Sequence, residues 1–104
     1  MSFFLCKLIP PRPTFAEDMT EVEAKVMQEH VAYWTDLANK GIAIAFGPVA
    51  DPKGTWGVGI LEVESESDIQ IISAKDPALA SNIGCRAESY PMPQIVLGKK
   101  LRSS

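Results

Sequence analysis

The chain has a single histidine, His30, and its position is the first indication of chemistry. Residues recurring every third or fourth position around it form one face of a predicted helix: Val22, Val26, His30, Tyr33 and Leu37. A neutral imidazole on an apolar helix face needs a partner for its ring N–H. Carboxylates at strand ends and loop carbonyls are the candidate partners.

Asp51 is the carboxylate best placed to pair with His30. It follows the strand that returns from the helix, in a loop stiffened by Pro48 and Pro52. Such a pair would fix the imidazole tautomer and leave the other ring nitrogen free to take or give a proton. In the structural alternative, which is the commoner case on spacing alone, His30 bonds a backbone carbonyl and Asp51 caps a turn.

Three aromatic residues and one arginine are the candidate substrate-binding residues. Tyr33 and Trp34 flank the histidine, and Trp56 stands at the mouth of the long loop, so all three could wall a pocket for a small planar ligand. Core packing is the alternative for each of them. Arg12, between two prolines, could reach the pocket mouth as an anion clamp or remain an exposed loop charge.

Other kinds of site find little support in the residue pattern. One histidine and scattered carboxylates do not suggest a metal site, and we expect no cofactor. Cys6 and Cys85 lack metal-ligand spacing and predict free, half-buried thiols. Asp76 is expected to cap a turn that begins at Pro77.

Composition predicts one soluble domain spanning residues 1–104, with a frayed tail from about residue 98. The chain has 104 residues, 46% of them hydrophobic and 22% charged. Its net charge of -3 argues against a nucleic-acid partner. No apolar run approaches the roughly 18 residues needed to cross a membrane, and the N-terminus does not resemble a secretion signal. We therefore expect a cytoplasmic protein with no membrane partner.

The elements that must position these residues follow the order βαββαβ. The pattern predicts strands at about 2–9, 42–46, 55–64 and 84–90, and helices starting after Thr20 and Ser65. The apolar segment 94–97 could add an edge strand or contact a partner. This order is typical of an α+β, ferredoxin-like protomer, in which an antiparallel sheet carries both helices on one face. Because the strands are apolar on both sides, we expect a homodimer formed through the other sheet face.

The sequence resembles the YCII-related (YciI-like) family over nearly its whole length. The resemblance is carried by 27–34 around the histidine, by Gly47-Pro48 followed by Asp51, and by Asp76-Pro77. It implies a dimeric α+β barrel with a His–Asp pair in a cleft of each protomer. Most members have no established reaction, although the family includes a dehydrochlorinase acting on a chlorinated hydroxyquinol, and muconolactone isomerases share its general fold. Some relatives carry an arginine one turn before the histidine, where this chain has Val26 and Met27.

Together these features favour a small cofactor-independent enzyme. In this hypothesis His30, oriented by Asp51, is the general acid or base for elimination or isomerisation of a small cyclic or aromatic metabolite, as in a lyase or an isomerase. Two alternatives stay open. The first is a dimeric module that binds a small ligand without converting it, and the second is a purely structural dimer.

Overall fold

The computed structural model describes residues 1–102 and contains the predicted strands and helices in the predicted order. The strands are β1 (Ser2–Ile9), β2 (Ala43–Val49), β3 (Trp56–Val63) and β4 (Arg86–Met92). The helices are α1 (Phe15–Asp18), α2 (Glu21–Asn39), α3 (Glu66–Lys75), α4 (Pro77–Ala80) and α5 (Lys99–Arg102). None of these helices is long and apolar enough to cross a membrane.

The four strands form one antiparallel sheet in the order β2-β3-β1-β4, which confirms the ferredoxin-like α+β fold. Phe4 pairs with Leu61 in the register of β1 and β3, and both are buried. Since side chains alternate along a strand, Cys6 and Leu8 share the face of Phe4, which is the face covered by the helices. The opposite face, which we call the open face, carries the alternate residues of each strand.

Local sequence signals set the ends of α2, as predicted. The Thr20 hydroxyl accepts a hydrogen bond from the Glu23 amide at 3.1 Å, and the Glu23 carboxylate accepts one from the Thr20 amide at 2.9 Å. Gly41 follows the helix with φ +77°, a conformation that glycine adopts without strain. These two signals place the long helix across the sheet.

The buried face of α2 is rotated from the predicted stripe. Val26, Trp34 and Leu37 are buried, whereas Val22 is 67% exposed. On a helix of 3.6 residues per turn, Val22 and Tyr33 lie on one edge of this arc and Trp34 on the other. Trp34 therefore faces the sheet, with its ring centroid 5.8 Å from that of Phe46.

Two strands extend beyond the prolines that were expected to end them. Pro48 lies inside β2 and Pro91 inside β4, and both strands are at the edges of the sheet. An edge strand tolerates proline because one of its sides needs no donor to a neighbour. The predicted ends at residues 46 and 90 are therefore too early.

The C-terminal segment also departs from expectation. Residues 99–102, within the tail predicted to be frayed, form the short helix α5, and residues 103 and 104 of that tail lie outside the described residues. Residues 94–97 form no strand, and Val96 is 87% exposed. The sheet thus ends at β4.

Candidate functional site

A cavity of about 310 Å³ opens between α2 and the helix-covered face of the sheet. Helices α1 and α2 contribute Phe15, Met27, His30 and Trp34, and the strands contribute mainly small or apolar residues, among them Leu8, Phe46, Gly57 and Gly59. Gly59 leaves room for the indole of Trp34, because a Cβ at residue 59 would lie 2.4 Å from its Cζ3 atom. The cavity is therefore largely apolar, with the histidine in its wall.

His30 is paired with a buried carboxylate, that of Asp76. Its Nδ1 atom lies 2.8 Å from Oδ1 and 3.0 Å from Oδ2 of Asp76. The side chains are 13% and 5% exposed respectively. The Asp76 carboxylate thus faces Nδ1, and no hydrogen bond within residues 1–102 uses Nε2. Nε2 is the ring nitrogen left for a ligand in the cavity.

Two further donors hold the Asp76 carboxylate in place. The Trp34 indole donates to Oδ2 at 2.9 Å, and the Ala78 amide donates to Oδ1 at 3.0 Å. The second bond is the N-cap of α4, which starts at Pro77, so the turn-capping role predicted for Asp76 is confirmed. These donors satisfy the hydrogen-bonding capacity of a carboxylate that is buried.

Asp51 is not the partner of His30, and the predicted pairing is wrong. Its carboxylate accepts hydrogen bonds from the Lys53 amide at 2.9 Å and the Trp56 indole at 3.1 Å. These two bonds, with a smaller attraction from Lys7, lower the pKa of Asp51. The Asx turn satisfies the carboxylate locally, as the structural alternative required, and keeps it in its own loop.

The three aromatic residues predicted to wall the pocket have different positions in the structure. Trp34 lines the cavity, whereas Tyr33 donates its hydroxyl proton to the Ile72 carbonyl at 2.8 Å and ties α2 to α3. Trp56 borders the cavity, but strand alternation puts its ring on the open face, with the Lys7 ammonium 4.7 Å from its centroid. Of the three predicted wall residues, Trp34 and Trp56 thus border the cavity and Tyr33 does not.

Arg12 is engaged away from the cavity. Its guanidinium donates to both carboxylate oxygens of Glu23 at 2.8 and 2.9 Å and to Asp18 at 2.8 Å. The hydrogen bonds to Glu23 and Asp18 raise the pKa of Arg12. The hydrogen bond from Arg12 is the largest of the effects that lower the pKa of Glu23 to about 2. With its donors taken by two acids, Arg12 fastens the loop before α1 to α2 rather than presenting an anion clamp.

Both cysteines line the cavity as free thiols, as predicted. Burial raises the pKa of Cys6 to about 11. Burial also raises the pKa of Cys85, with the negative charge of Asp76 adding to it. These thiols are protonated at neutral pH and are poor nucleophiles. Among residues 1–102 no three histidine, cysteine or acidic side chains are grouped to hold a metal ion.

Two sequence features singled out Asp76, although neither identified it as the partner of His30. The sequence Asp76-Pro77 marks an aspartate at a helix N-cap, and the same pair belongs to the motif that carries the family resemblance. The N-cap role conceals the pairing, because the carboxylate caps α4 through one oxygen while it also faces the histidine. The hydrogen bond between Trp34 and Asp76 could not be predicted from the spacing of residues in the sequence.

Comparison with known proteins agrees with this fold. The family model of the YCII-related domain matches residues 3–93. The chain is also similar in structure to 5-chloro-2-hydroxyhydroquinone dehydrochlorinase from Burkholderia phenoliruptrix AC1100, solved in complex with 2,5-dihydroxybenzoquinone, with a TM-score of 0.56 and 19% identity over 93% of this chain and 97% of that one. No curated protein sequence matches significantly. The chain belongs to the YCII-related domain family.

Proposed function

We propose that this protein is a small-molecule enzyme in which His30, held by Asp76, moves a proton at a ligand bound in the cavity. The observation that carries the proposal is the contact of Nδ1 with a buried carboxylate while the ring borders an open cavity. Asp76 holds the ring through Nδ1, so His30 can accept a proton from the ligand at Nε2 and return it later. Isomerisation needs only such a transfer, and elimination also needs a leaving group that departs from the ligand with its electron pair; neither requires an external oxidant or reductant.

The shape and lining of the cavity favour a small cyclic or aromatic substrate. Its volume of about 310 Å³ is at the lower end of the range typical of ligand pockets, ~300–1,000 Å³. The Trp34 and Phe46 rings provide flat apolar surfaces, and Gly57 and Gly59 line the cavity without side chains. A ring with a hydroxyl or carbonyl group near Nε2 would fit both properties. The related fold of a dehydrochlorinase solved with a dihydroxybenzoquinone supports the same class of ligand.

A binding module without catalysis is the second candidate. It is favoured by the scarcity of polar groups in the cavity, since beyond the His30 pair these are mainly Lys7, Thr55, Ser73 and two protonated thiols. In that case the histidine would only donate or accept one hydrogen bond to the ligand. The two candidates differ in whether a bound compound is converted.

We also propose that the protein forms a homodimer through the open face of its sheet. Apolar side chains from three strands occupy this face and none is fully buried: Phe3, Leu5, Ile9, Val58, Ile60, Tyr90 and Met92. Lys7, Glu62 and Glu88 lie on the same face, but exposed apolar side chains in this number usually mark an interface. Packing against a second sheet would cover it. A purely structural dimer remains the third candidate.

The test is a screen followed by product analysis. Hydroxylated and carbonyl-bearing rings, with 5-chloro-2-hydroxyhydroquinone among them, are screened by thermal shift, and each stabilising compound is incubated with wild type, His30→Ala, Asp76→Asn and Asp51→Asn. The proposal predicts product from wild type and Asp51→Asn, with at least a hundredfold lower rate in the other two. A compound that binds wild type and His30→Ala equally and is never converted would establish the binding module instead.

A further inference from the structure

We propose that Trp34 is a positioning residue for the proton carrier, and that its indole N–H fixes the orientation of Asp76 and thereby the tautomer of His30. The inference starts from the geometry around Asp76. Each carboxylate oxygen receives one donor besides His30, with the Ala78 amide on Oδ1 and the Trp34 indole on Oδ2. The carboxylate is therefore anchored at both ends, and Nδ1 of His30 lies between the two oxygens at 2.8 and 3.0 Å.

The two groups that bond the Asp76 carboxylate can only donate hydrogen bonds, and this decides where the proton of the His30–Asp76 contact lies. An indole N–H and a backbone N–H can donate but cannot accept, unlike a hydroxyl or a side-chain amide. Both oxygens of Asp76 accept these bonds, so Nδ1 of His30 meets a hydrogen-bond acceptor. The proton of the His30–Asp76 contact is then held on Nδ1, which leaves Nε2 as the acceptor on a ring that lines the cavity.

The indole is itself held by packing. Trp34 is buried on α2, one turn after His30, with its ring against Phe46 and over the bare Cα of Gly59. Any side chain at residue 59 would meet the ring at less than van der Waals distance. The position of Nε1 is thus set by the sheet, and the Nε1–Oδ2 bond transmits it to Asp76 and His30.

A tryptophan that only fills the core would also need an acceptor for its N–H, but any backbone carbonyl could serve. Here the acceptor is the carboxylate that contacts the histidine. The chain provides a matched comparison, because Trp56 donates its N–H in the same way, at 3.1 Å, to Asp51, whereas the carboxylate that bonds His30 is that of Asp76. Variants of the two tryptophans therefore distinguish the general effect of losing an indole donor from the effect of losing the donor to Asp76.

The experiment reads the tautomer directly and needs no substrate. His30 is the only histidine in the chain, so a long-range ¹H–¹⁵N correlation spectrum of the labelled protein contains one pair of ring nitrogens. At mildly alkaline pH we expect wild type to show the Nδ1–H tautomer alone. Trp34→Phe, which keeps an aromatic ring and lacks the donor, is expected to show a mixture of both tautomers, while Trp56→Phe matches wild type.

An unchanged single tautomer in folded Trp34→Phe would overturn the proposal, and so would a mixture in wild type. If Trp34→Phe does not fold, benzothienylalanine at residue 34 keeps the bicyclic shape and replaces the N–H by sulfur, so the same spectrum decides. The catalytic meaning of Trp34 rests on the proposed function, but this readout does not. A mixture of tautomers in the variant combined with a wild type that converts no ligand would retain the positioning role and reject the enzyme.

Discussion

The Nδ1 atom of His30 lies 2.8 Å from Oδ1 of Asp76, although 46 positions separate the two residues in the chain. The histidine comes from the middle of α2 and the aspartate from the N-cap of α4. The contact therefore exists only once both helices are packed on the same face of the sheet. Asp76 performs two tasks with one carboxylate, since it starts a helix and orients an imidazole.

Replacing Asp76 should destabilise the fold more than replacing Asp51. Asp76→Asn puts an amide nitrogen where one oxygen now accepts a bond, so at least one of the donors from Trp34, Ala78 or His30 loses its acceptor inside the protein. We expect a loss of about 1–3 kcal/mol in the free energy of unfolding. The matched Asp51→Asn change lies in a surface turn whose Asx bond asparagine can also form, and should cost less. Urea denaturation of both variants measures the difference, and equal losses would contradict it.

The close packing of Trp34 on Gly59 predicts an asymmetric response to two alanine substitutions on β3. In Gly59→Ala the new Cβ would lie 2.4 Å from the Trp34 ring, which must shift, at a cost of about 1–3 kcal/mol. In Gly57→Ala the nearest atom is the Leu8 Cβ at 3.4 Å, so this control should lose less stability. Thermal unfolding monitored by circular dichroism compares the stabilities of the two variants. A Gly59→Ala variant as stable as Gly57→Ala would show that the indole has room to move.

The partner of His30 and the role of Trp34 show what the sequence could and could not predict. Capping residues and strand alternation identified the elements, because those signals are local in the chain. The partner of His30 was mistaken because Asp51 and Asp76 both read as turn aspartates, and only the packing of α4 against α2 brings one of them to the ring. The role of Trp34 depends on the missing side chain at Gly59, on another strand, and no spacing within α2 could reveal it.

Acid should weaken the contact between Arg12 and Glu23. The pKa of Glu23 is lowered to about 2 from 4.5, so its stabilising contribution is complete above the unfolded value and is lost as the pH falls through about 2. The difference in unfolding free energy between wild type and Glu23→Gln should therefore shrink as the pH is lowered from about 5 towards 2. Denaturation at a series of pH values measures it, and a difference that grows on acidification would contradict the sign. Asp36→Asn, which breaks the exposed pair with Lys40, is the control and should change stability little at neutral pH.

The Cys6 thiol should react slowly. A pKa of about 11 instead of 9.0 means that Cys6 has roughly 100-fold less thiolate than an unburied thiol at neutral pH. In a Cys85→Ala background, alkylation by iodoacetamide should be slower by about that factor than alkylation of a free thiol and should accelerate as the pH rises towards 11. A bound ligand should slow it further, since Cys6 lines the cavity. A rate equal to that of the free thiol would contradict the burial of this group.

The dimer proposed for the open face can be broken by charge. Ile60→Glu puts a carboxylate in the middle of that face, where desolvation on association would be costly. We expect wild type to sediment as a dimer and Ile60→Glu as a folded monomer at micromolar concentration. Ile71→Glu, on an exposed position of α3, is the control and should sediment as wild type. A monomeric wild type would reject the interface.

The central claim is that His30 and Asp76, and not His30 and Asp51, carry a proton for a ligand in the cavity. The most direct measurement is the turnover number of His30→Gln, Asp76→Asn and Asp51→Asn on a compound that wild type converts. We predict that the first two lose at least about 100-fold in kcat while Asp51→Asn stays within a few fold of wild type. A loss in Asp51→Asn as large as that in His30→Gln, with Asp76→Asn unaffected, would contradict the account.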